Sequence, residues 1–294
     1  MSAPSERPLV SIRPDGPVRI LTIDHPPVNV LARPVLDALQ NAIDRVDRDP
    51  AARVVVLASA AEKAFAAGAN IREMAEMTPA EARVHGARGQ AVTRAIERLP
   101  LPVLAAVHGV CLGGGCEIAL ACDFVVASPD ATFGQPEINL GVTPGWGGSQ
   151  RLARRIGAAR ARRWIFTGRP VPAEQARAEG WVDRVVPRAE LLPATLELAR
   201  ELAAKPALAL AAAKYEIQRA VDPSLDSDLA YELDLWARLF GTPDQRAGMR
   251  AFLEKRPFEP RDRSDWDETA QGFPWGADPG GSGDVGAIGK RKRQ

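Results

Sequence analysis

Two glutamates stand beside glycine-rich segments, where their carboxyl groups could carry out acid–base chemistry. Glu117 follows three consecutive glycines, and Glu137 lies in a second segment crowded with glycine and proline. A carboxylate can remove a proton from a reacting group, and a carboxylic acid can return one. Loops this rich in special backbone residues often line binding sites. The two glutamates are therefore candidates for an acid–base pair, provided that the fold brings them together.

The segment around Glu117 also predicts a site for negative charge. The residues HGVCLGGGCEIALACD, at 108–123, predict the end of a strand, a glycine turn and the start of a helix. The first N–H groups of a helix have no acceptor within it and carry partial positive charge. Glycine leaves those groups open to a bound oxygen, so the turn could stabilise charge that develops in a transition state. A phosphate-binding loop is the rival interpretation, although the segment lacks the Gly-Lys-Ser/Thr and glycine-spacing patterns of nucleotide loops.

A third segment, KAFAAGANIREM at 63–74, follows an apolar, β-branched run at 53–58. Its small residues at 66–69 would let a ligand approach the backbone closely, because little side chain obstructs it. Taken alone, the segment fits a ligand-binding turn and a plain connection equally well.

The surrounding sequence alternates strands and helices, which must position these segments. We expect strands at 18–24, 53–58, 103–107 and 124–128, and helices at 34–46 and 80–98. Such alternation is typical of an α/β fold with a parallel sheet. The later sequence predicts a short helix at 172–180, and then helices at 193–204, 206–221, 225–240 and 243–255. The stretch at 261–294 has no periodicity, is glycine-rich and ends in KRKRQ, so we expect a flexible tail.

The composition excludes several classes of protein. Lys and Arg number 38 and Asp and Glu 37, so the net charge of +1 provides no overall field for nucleic acid or an anionic membrane. Pro, Gly, His or charged residues interrupt every apolar stretch, so we expect no membrane span and no signal peptide. The three cysteines form no Cys-x-x-Cys pair, which disfavours a disulfide framework and a metal site and favours a reducing, cytoplasmic location. None of the three histidines has a motif partner that would mark it as catalytic.

Together these segments resemble the enoyl-CoA hydratase/isomerase, or crotonase, superfamily. The matching motifs are KAFAAGANIREM, VHGVCLGGGCEIALACD and FGQPEINLGVTPGWGGSQRLAR, and PDQRAGMRAFLEKR resembles the terminal helix of that family. The resemblance covers roughly residues 9–260. It implies a crotonase-like α/β spiral of ββα units with a C-terminal helical trimerisation segment. The implied organisation is a catalytic core at 1–195, a helical assembly segment at 196–260 and the tail at 261–294.

The resemblance also implies a substrate and a mechanism. The substrate would be an acyl-CoA thioester, with its carbonyl oxygen between the N–H groups of Ala69 and Gly114. Water would add syn across a 2,3-double bond; by position, Glu117 would activate the water and Glu137 would donate the proton. Coenzyme A would belong to the substrate, and no cofactor would be tightly bound. The implied partners are further copies of the chain, in a homotrimer or homohexamer.

Further positions are implied by matching motifs residue by residue. The backbone of Ala67 and of residues 69–72, including Asn70 and Ile71, would follow the coenzyme A, and Arg72 could meet one of its phosphates. Lys255 could reach coenzyme A from a neighbouring subunit. The N–H of Gly145 could help to hold the water, and Trp146 could shape the acyl pocket. Asn70 departs from the Asp common in that motif, a change that leaves the backbone N–H groups intact.

Other functions stay open at this point. An enoyl-CoA isomerase on the same fold commonly keeps only one acid, so the two glutamates favour a hydratase. Hydrolase, dehalogenase and decarboxylase relatives usually place acids or histidines elsewhere, but fold does not fix chemistry. A non-catalytic acyl-CoA-binding or RNA-binding homologue is the alternative outside the enzymes. The intact glutamates and the near-neutral charge disfavour it.

Overall fold

The computed structural model describes residues 7–205, 207–221, 229–230, 233–234, 236–237 and 239–258. The predicted tail at 261–294 lies outside these residues. The helix predicted at 225–240 is described only in part, and its described residues up to 239 are helical.

The described residues form ten strands in two sheets. From β1 to β10 they are Val10–Asp15, Val18–Ile23, Val54–Ser59, Ala64–Ala66, Val103–Val107, Val110–Leu112, Phe124–Ala127, Thr132–Gly134, Val171–Pro172 and Arg184–Val185. The larger sheet has the order β1-β2-β3-β5-β7-β10, and the smaller one β4-β6-β8-β9. In the larger sheet β1 pairs antiparallel with β2, whereas the other neighbours are parallel. The predicted parallel strands are therefore confirmed.

Besides the partly described helix that reaches residue 239, ten α-helices surround the sheets in the part of the chain that the structure describes. From α1 to α10 they are Arg33–Asp47, Ile71–Met74, Pro79–Arg98, Gly114–Leu120, Gly148–Ile156, Ala158–Thr167, Ala173–Ala178, Leu191–Ala203, Ala207–Val221 and Pro243–Leu253. Two 3₁₀ helices add Pro136–Leu140 and Arg188–Glu190. A capping box starts α3, because the Thr78 side chain accepts from the N–H of Glu81 while the Glu81 carboxylate accepts from that of Thr78.

The larger sheet is buried on both faces. Along β3, Val55 and Leu57 belong to the cluster that includes α1, whereas Val54 and Val56 belong to the cluster that includes α8. This alternation explains why the run at 53–58 is apolar without interruption. The predicted domain boundary after residue 195 lies inside α8, whose apolar face covers the sheet.

The smaller sheet explains how the three chemistry-bearing segments meet. Its strands β4, β6 and β8 run parallel to one another. β4 leads into the turn at 67–70, β6 into the glycine turn before α4, and β8 into the 3₁₀ helix Pro136–Leu140. Because the carboxyl ends of parallel strands lie at one edge of a sheet, these three segments share that edge.

Candidate active site

Two glycine-containing turns lie side by side at this edge. A Cβ at Gly68 would lie 3.1 Å from the carbonyl oxygen of Leu112 and 3.5 Å from the nitrogen of Gly114. The first turn is fixed to the N-terminal region by a hydrogen bond from the N–H of Leu31 to the carbonyl of Gly68, at 2.8 Å. The structure thus brings Ala69, which follows Gly68, next to Gly114, although the two lie in separate motifs.

The start of α4 depends on glycine. Gly113 has φ +52° and ψ −126°, a conformation that strains any residue with a side chain. A Cβ at Gly115 would overlap the carbonyl of Ala66, so glycine there allows α4 to pack closely on β4. Gly114 is the first residue of the helix, and its N–H therefore has no acceptor within the helix. This N–H group is available to an oxygen atom bound between the two turns.

Glu117 lies in the first turn of α4 and is only 2 % exposed. Its Oε1 accepts hydrogen bonds from the backbone N–H groups of Trp146, at 2.7 Å, and Gly148, at 2.8 Å. A buried carboxylate needs such donors to offset the loss of water. The turn at 145–148 therefore fixes the position of the Glu117 carboxyl group.

Buried polar side chains hold that turn from the other side. The carbonyl of Trp146 accepts from the hydroxyl of Thr93, at 3.0 Å, and from Nη1 of Arg151, at 2.9 Å. Arg151 in turn pairs with both carboxylate oxygens of Glu97, at 3.3 and 2.9 Å. Bidentate pairing of this kind fixes the guanidinium in one orientation. The network ties α3 and α5 to the turn that binds Glu117.

Glu137 approaches the same region from the 3₁₀ helix. Its Oε1 lies 3.1 Å from the position that a Cβ on Gly113 would take. The fully buried amide of Gln135, oriented to satisfy its neighbours, donates to Oε1 and Oε2 of Glu137 at 3.1 and 3.3 Å. The same amide would lie 2.8 Å from a Cβ on Gly148. Gln135 thus joins the Glu137 carboxylate to the turn that binds Glu117, so both glutamates belong to one site.

Aromatic rings form a wall beside the turns. The Trp146 indole lies against Gly114 and Gly89, and a Cβ on either glycine would overlap its ring. The Trp236 indole lies against Gly145, where a Cβ would come within 2.9 Å. Glycine on α3 and at the start of α4 therefore makes the room that these rings occupy.

His85 joins this wall from α3. Its ring centroid lies 5.8 Å from that of Trp146 and 6.1 Å from that of Trp236, with which it is stacked. Burial lowers the pKa of the imidazole; the charge of Glu73 opposes that effect and the charge of Arg88 adds to it. His85 is therefore neutral near pH 7.

The residues predicted to contact coenzyme A lie at the periphery. Asn70 caps the short helix α2 by accepting from the N–H of Arg72, at 3.2 Å, and its amide donates to Glu73, at 2.9 Å. The side chain of Arg72 is exposed, and that of Ile71 is partly buried. Lys255 is exposed just after α10, a helix that packs against α2 and the 3₁₀ helix of Glu137.

The three cysteines and His108 are buried and pack within the fold. Burial raises the thiol pKa values of all three free cysteines, Cys111, Cys116 and Cys122. The buried ring of His108 bonds the carbonyl of Ala61 at 2.8 Å. Among the described residues no group of His, Cys, Asp or Glu could hold a metal ion. Nor does the described part of the chain contain a helix long and apolar enough to span a membrane.

Comparison with known proteins identifies the family. The model of the enoyl-CoA hydratase/isomerase family matches residues 15–263. The chain belongs to the enoyl-CoA hydratase/isomerase family. It is 41 % identical to a short-chain-enoyl-CoA hydratase of Clostridium acetobutylicum over 251 residues, which are 85 % of this chain and 96 % of the relative. It is 40 % identical to a crotonyl-CoA hydratase of Syntrophomonas wolfei, covering 81 % of this chain and 92 % of that one.

Solved structures agree with this enoyl-CoA hydratase/isomerase assignment. An enoyl-CoA hydratase from Mycobacterium avium subsp. paratuberculosis superposes with a TM-score of 0.76 at 31 % identity, covering 84 % of this chain and all of that one. An enoyl-CoA hydratase from Bacillus anthracis gives a TM-score of 0.70 at 34 % identity, covering 85 % and 98 %. The predicted superfamily and the predicted crotonase-like α/β fold are confirmed.

Three residues of this family member's site escaped the sequence analysis. Gln135 stands two residues before Glu137 in the quoted motif, and this closeness in sequence could have indicated that it belongs to the site. His85 and Trp236 belong to no quoted motif. Their signal is indirect: Gly86 and Gly89 interrupt α3, and glycine within a helix often marks a close contact.

Proposed function

We propose that this protein hydrates 2-enoyl-CoA thioesters to 3-hydroxyacyl-CoA. The observation that carries the proposal is the placement of both glutamates beside the two glycine turns. Glu117 is bound by the N–H groups of Trp146 and Gly148. Gln135, which bonds Glu137, lies against Gly148. Two carboxyl groups are what addition of water requires, because one proton must leave the water and one must reach carbon. The names of the two curated relatives support the same reaction.

The thioester carbonyl would bind between the N–H groups of Ala69 and Gly114. As water adds to C3, electron density moves through the double bond to this oxygen, which takes on enolate character. N–H groups that already point at the oxygen stabilise that charge without reorganisation. Removing one donor of this kind typically lowers the rate by about 10²–10³.

The two glutamates would divide the proton transfers. Glu117 accepts a proton from water, whose oxygen forms the new bond to C3. Glu137, in its protonated form, delivers a proton to C2, where the enolate electrons form the C2–H bond. The proton that Glu117 accepted then restores the acid form of Glu137. Both transfers occur on the same face of the double bond, so the addition is syn. The N–H of Gly145 helps to hold the water.

Substrate binding would extend from the turns to the surface. The backbone of Ala67 and of residues 69–72 follows the pantetheine and adenine, and Arg72 meets a phosphate. Trp146 fills space beside the acyl chain, and this bulk supports a preference for short chains. The names of the two relatives, a short-chain-enoyl-CoA and a crotonyl-CoA hydratase, agree with that preference.

The proposal extends to assembly and location. We expect a homotrimer or homohexamer in which Lys255 reaches the coenzyme A bound to a neighbour. We also expect a cytoplasmic protein that binds neither nucleic acid nor membranes and has no tightly bound cofactor. The acyl-CoA substrate supplies the coenzyme A.

The direct test is turnover of 2-enoyl-CoAs of increasing length. Purified protein is mixed with crotonyl-CoA, 2-hexenoyl-CoA and 2-decenoyl-CoA, and loss of the absorbance of the conjugated thioester is followed. Saturated butyryl-CoA, which lacks that double bond, is the control. We expect the highest kcat/KM with crotonyl-CoA. Failure to consume any of the three substrates would overturn the proposal.

A further inference from the structure

The imidazole of His85 is a buried polar group with an unpaired nitrogen. The residue is more than nine-tenths buried, at 6 % exposure. Within the described part of the chain, Nε2 has no hydrogen-bond partner. Buried polar atoms in native proteins are almost always paired, because an unpaired one loses its bonds to water without replacement. Among the described residues this nitrogen is therefore left without a partner, and a group bound in the site could supply one.

The position of His85 indicates which bound molecule could supply that hydrogen-bond partner. The imidazole packs on the rings of Trp146 and Trp236. Trp146 lies directly on Gly114, whose N–H faces the thioester carbonyl in the proposed function. Trp236 lies on Gly145, at the turn that binds Glu117. In the proposed binding mode, His85 therefore belongs to the aromatic wall beside the reacting end of the acyl chain.

The charge state of His85 selects the kind of partner. Burial lowers the pKa of the imidazole; the charge of Glu73 raises it and the charge of Arg88 lowers it. A neutral imidazole has one donor and one acceptor nitrogen. A hydroxyl group, which can both donate and accept a hydrogen bond, is a suitable partner for it. A carboxylate is not, because a neutral imidazole offers no positive charge to offset the burial of a negative one.

We propose that His85 is a specificity-determining residue, and that the preferred substrate is a short 2-enoyl-CoA with a hydroxyl group on its acyl chain. The inference rests on the proposed function and names its substrate class. The hydroxyl oxygen bonds Nε2 of His85 and supplies the missing partner. The double bond and thioester stay at the two glycine turns.

The test compares matched pairs of substrates in the wild type. The alkyl series is crotonyl-, 2-pentenoyl- and 2-hexenoyl-CoA, and each member is paired with its ω-hydroxy derivative. We expect the hydroxylated member of at least one pair to have a kcat/KM about tenfold higher, the effect of a buried hydrogen bond that replaces an unpaired group. Hydroxylated members that are equal or inferior at every length would overturn the inference, even though hydration of the alkyl series would still support the proposed function.

Variants of His85 then assign the preference to the imidazole. His85→Phe keeps a flat ring beside Trp146 and Trp236 but removes both nitrogens. The ratio of kcat/KM between hydroxylated and alkyl substrates should therefore fall to about one, whatever the change in kcat/KM on crotonyl-CoA itself. His85→Gln keeps a donor and an acceptor and should retain part of the preference. A ratio that is unchanged in His85→Phe would contradict the inference, because a packing role alone would leave the ratio as it was.

Binding of unreactive analogues separates this inference from the proposed reaction. Isothermal calorimetry with butyryl-CoA and 4-hydroxybutyryl-CoA requires no turnover. We expect the wild type to bind the hydroxylated analogue more tightly and His85→Phe to bind the two alike. Equal affinities in the wild type, together with equal turnover of the paired substrates, would overturn the inference.

Discussion

The carboxyl group of Glu117 accepts hydrogen bonds that stabilise the fold and, in the proposed function, accepts a proton from water. Two substitutions separate these roles. Its Oε1 accepts two backbone hydrogen bonds, from Trp146 and Gly148. Glutamine keeps an oxygen in that place but can neither carry the negative charge nor accept a proton from water. Alanine removes the oxygen altogether.

The structure indicates how far the two variants should differ in stability. In Glu117→Ala two buried N–H groups lose their acceptor, and each such loss costs about 1–3 kcal/mol. We therefore expect Glu117→Ala to lower the free energy of unfolding by about 2–6 kcal/mol, and Glu117→Gln to lower it by about 1 kcal/mol or less. Both variants should lose activity by about 10²–10⁴, the usual contribution of a positioned acid or base.

The assay combines urea unfolding with crotonyl-CoA turnover, at one protein concentration for all three proteins. Glu117→Gln should unfold at nearly the urea concentration of the wild type and yet be almost inactive. If the glutamine variant were as unstable as the alanine variant, the hydrogen-bonding argument would be wrong. If it kept full activity, the assigned role of the carboxylate in proton transfer would be wrong.

Three further predictions concern other parts of the molecule. Glu137→Gln should lose activity on crotonyl-CoA by about 10²–10⁴ while butyryl-CoA binding, measured by calorimetry, persists; full activity would refute its role as proton donor. Lys214 and Asp123, whose side chains are 9 % and 24 % exposed, form a partly buried ion pair. Lys214→Met should lower the free energy of unfolding, measured in urea, by about 3 kcal/mol, and the double variant with Asp123→Asn should recover part of that loss. The thiols of Cys111, Cys116 and Cys122 are buried, and burial raises their pKa values, so they should react with Ellman's reagent only after unfolding. Rapid reaction in the native protein would contradict the burial of these three side chains.

The elements of the larger sheet could be predicted because their signal is local. The run at 53–58 is continuous and β-branched, which suits a strand with both faces covered. The strand Val10–Asp15 escaped prediction because Pro14 and charged residues interrupt it; it lies at the edge of the sheet, where proline is tolerated. The strands of the smaller sheet escaped for another reason. They have only two or three residues, and pairing with distant segments decides their conformation.

The site residues that belong to the motifs could be predicted from the sequence. Those that reach the site only through tertiary packing could not. The turns at 67–70 and 113–115 and the two glutamates follow from the order of the motifs. Their convergence depends on the parallel pairing of β4, β6 and β8, which the local sequence does not reveal. His85 has no motif partner in the sequence, and its contact with Trp146 and Trp236 arises only when α3 packs against the site.

The position of solvent deuterium in the product is the most direct test of the central claim, that the protein hydrates 2-enoyl-CoA. Crotonyl-CoA is incubated with the protein in D₂O, and the product is examined by NMR. Syn hydration by the two glutamates predicts 3-hydroxybutyryl-CoA with a hydroxyl at C3 and a single deuterium at C2. Release of free coenzyme A, a shifted double bond without added water, or unchanged crotonyl-CoA would contradict the account.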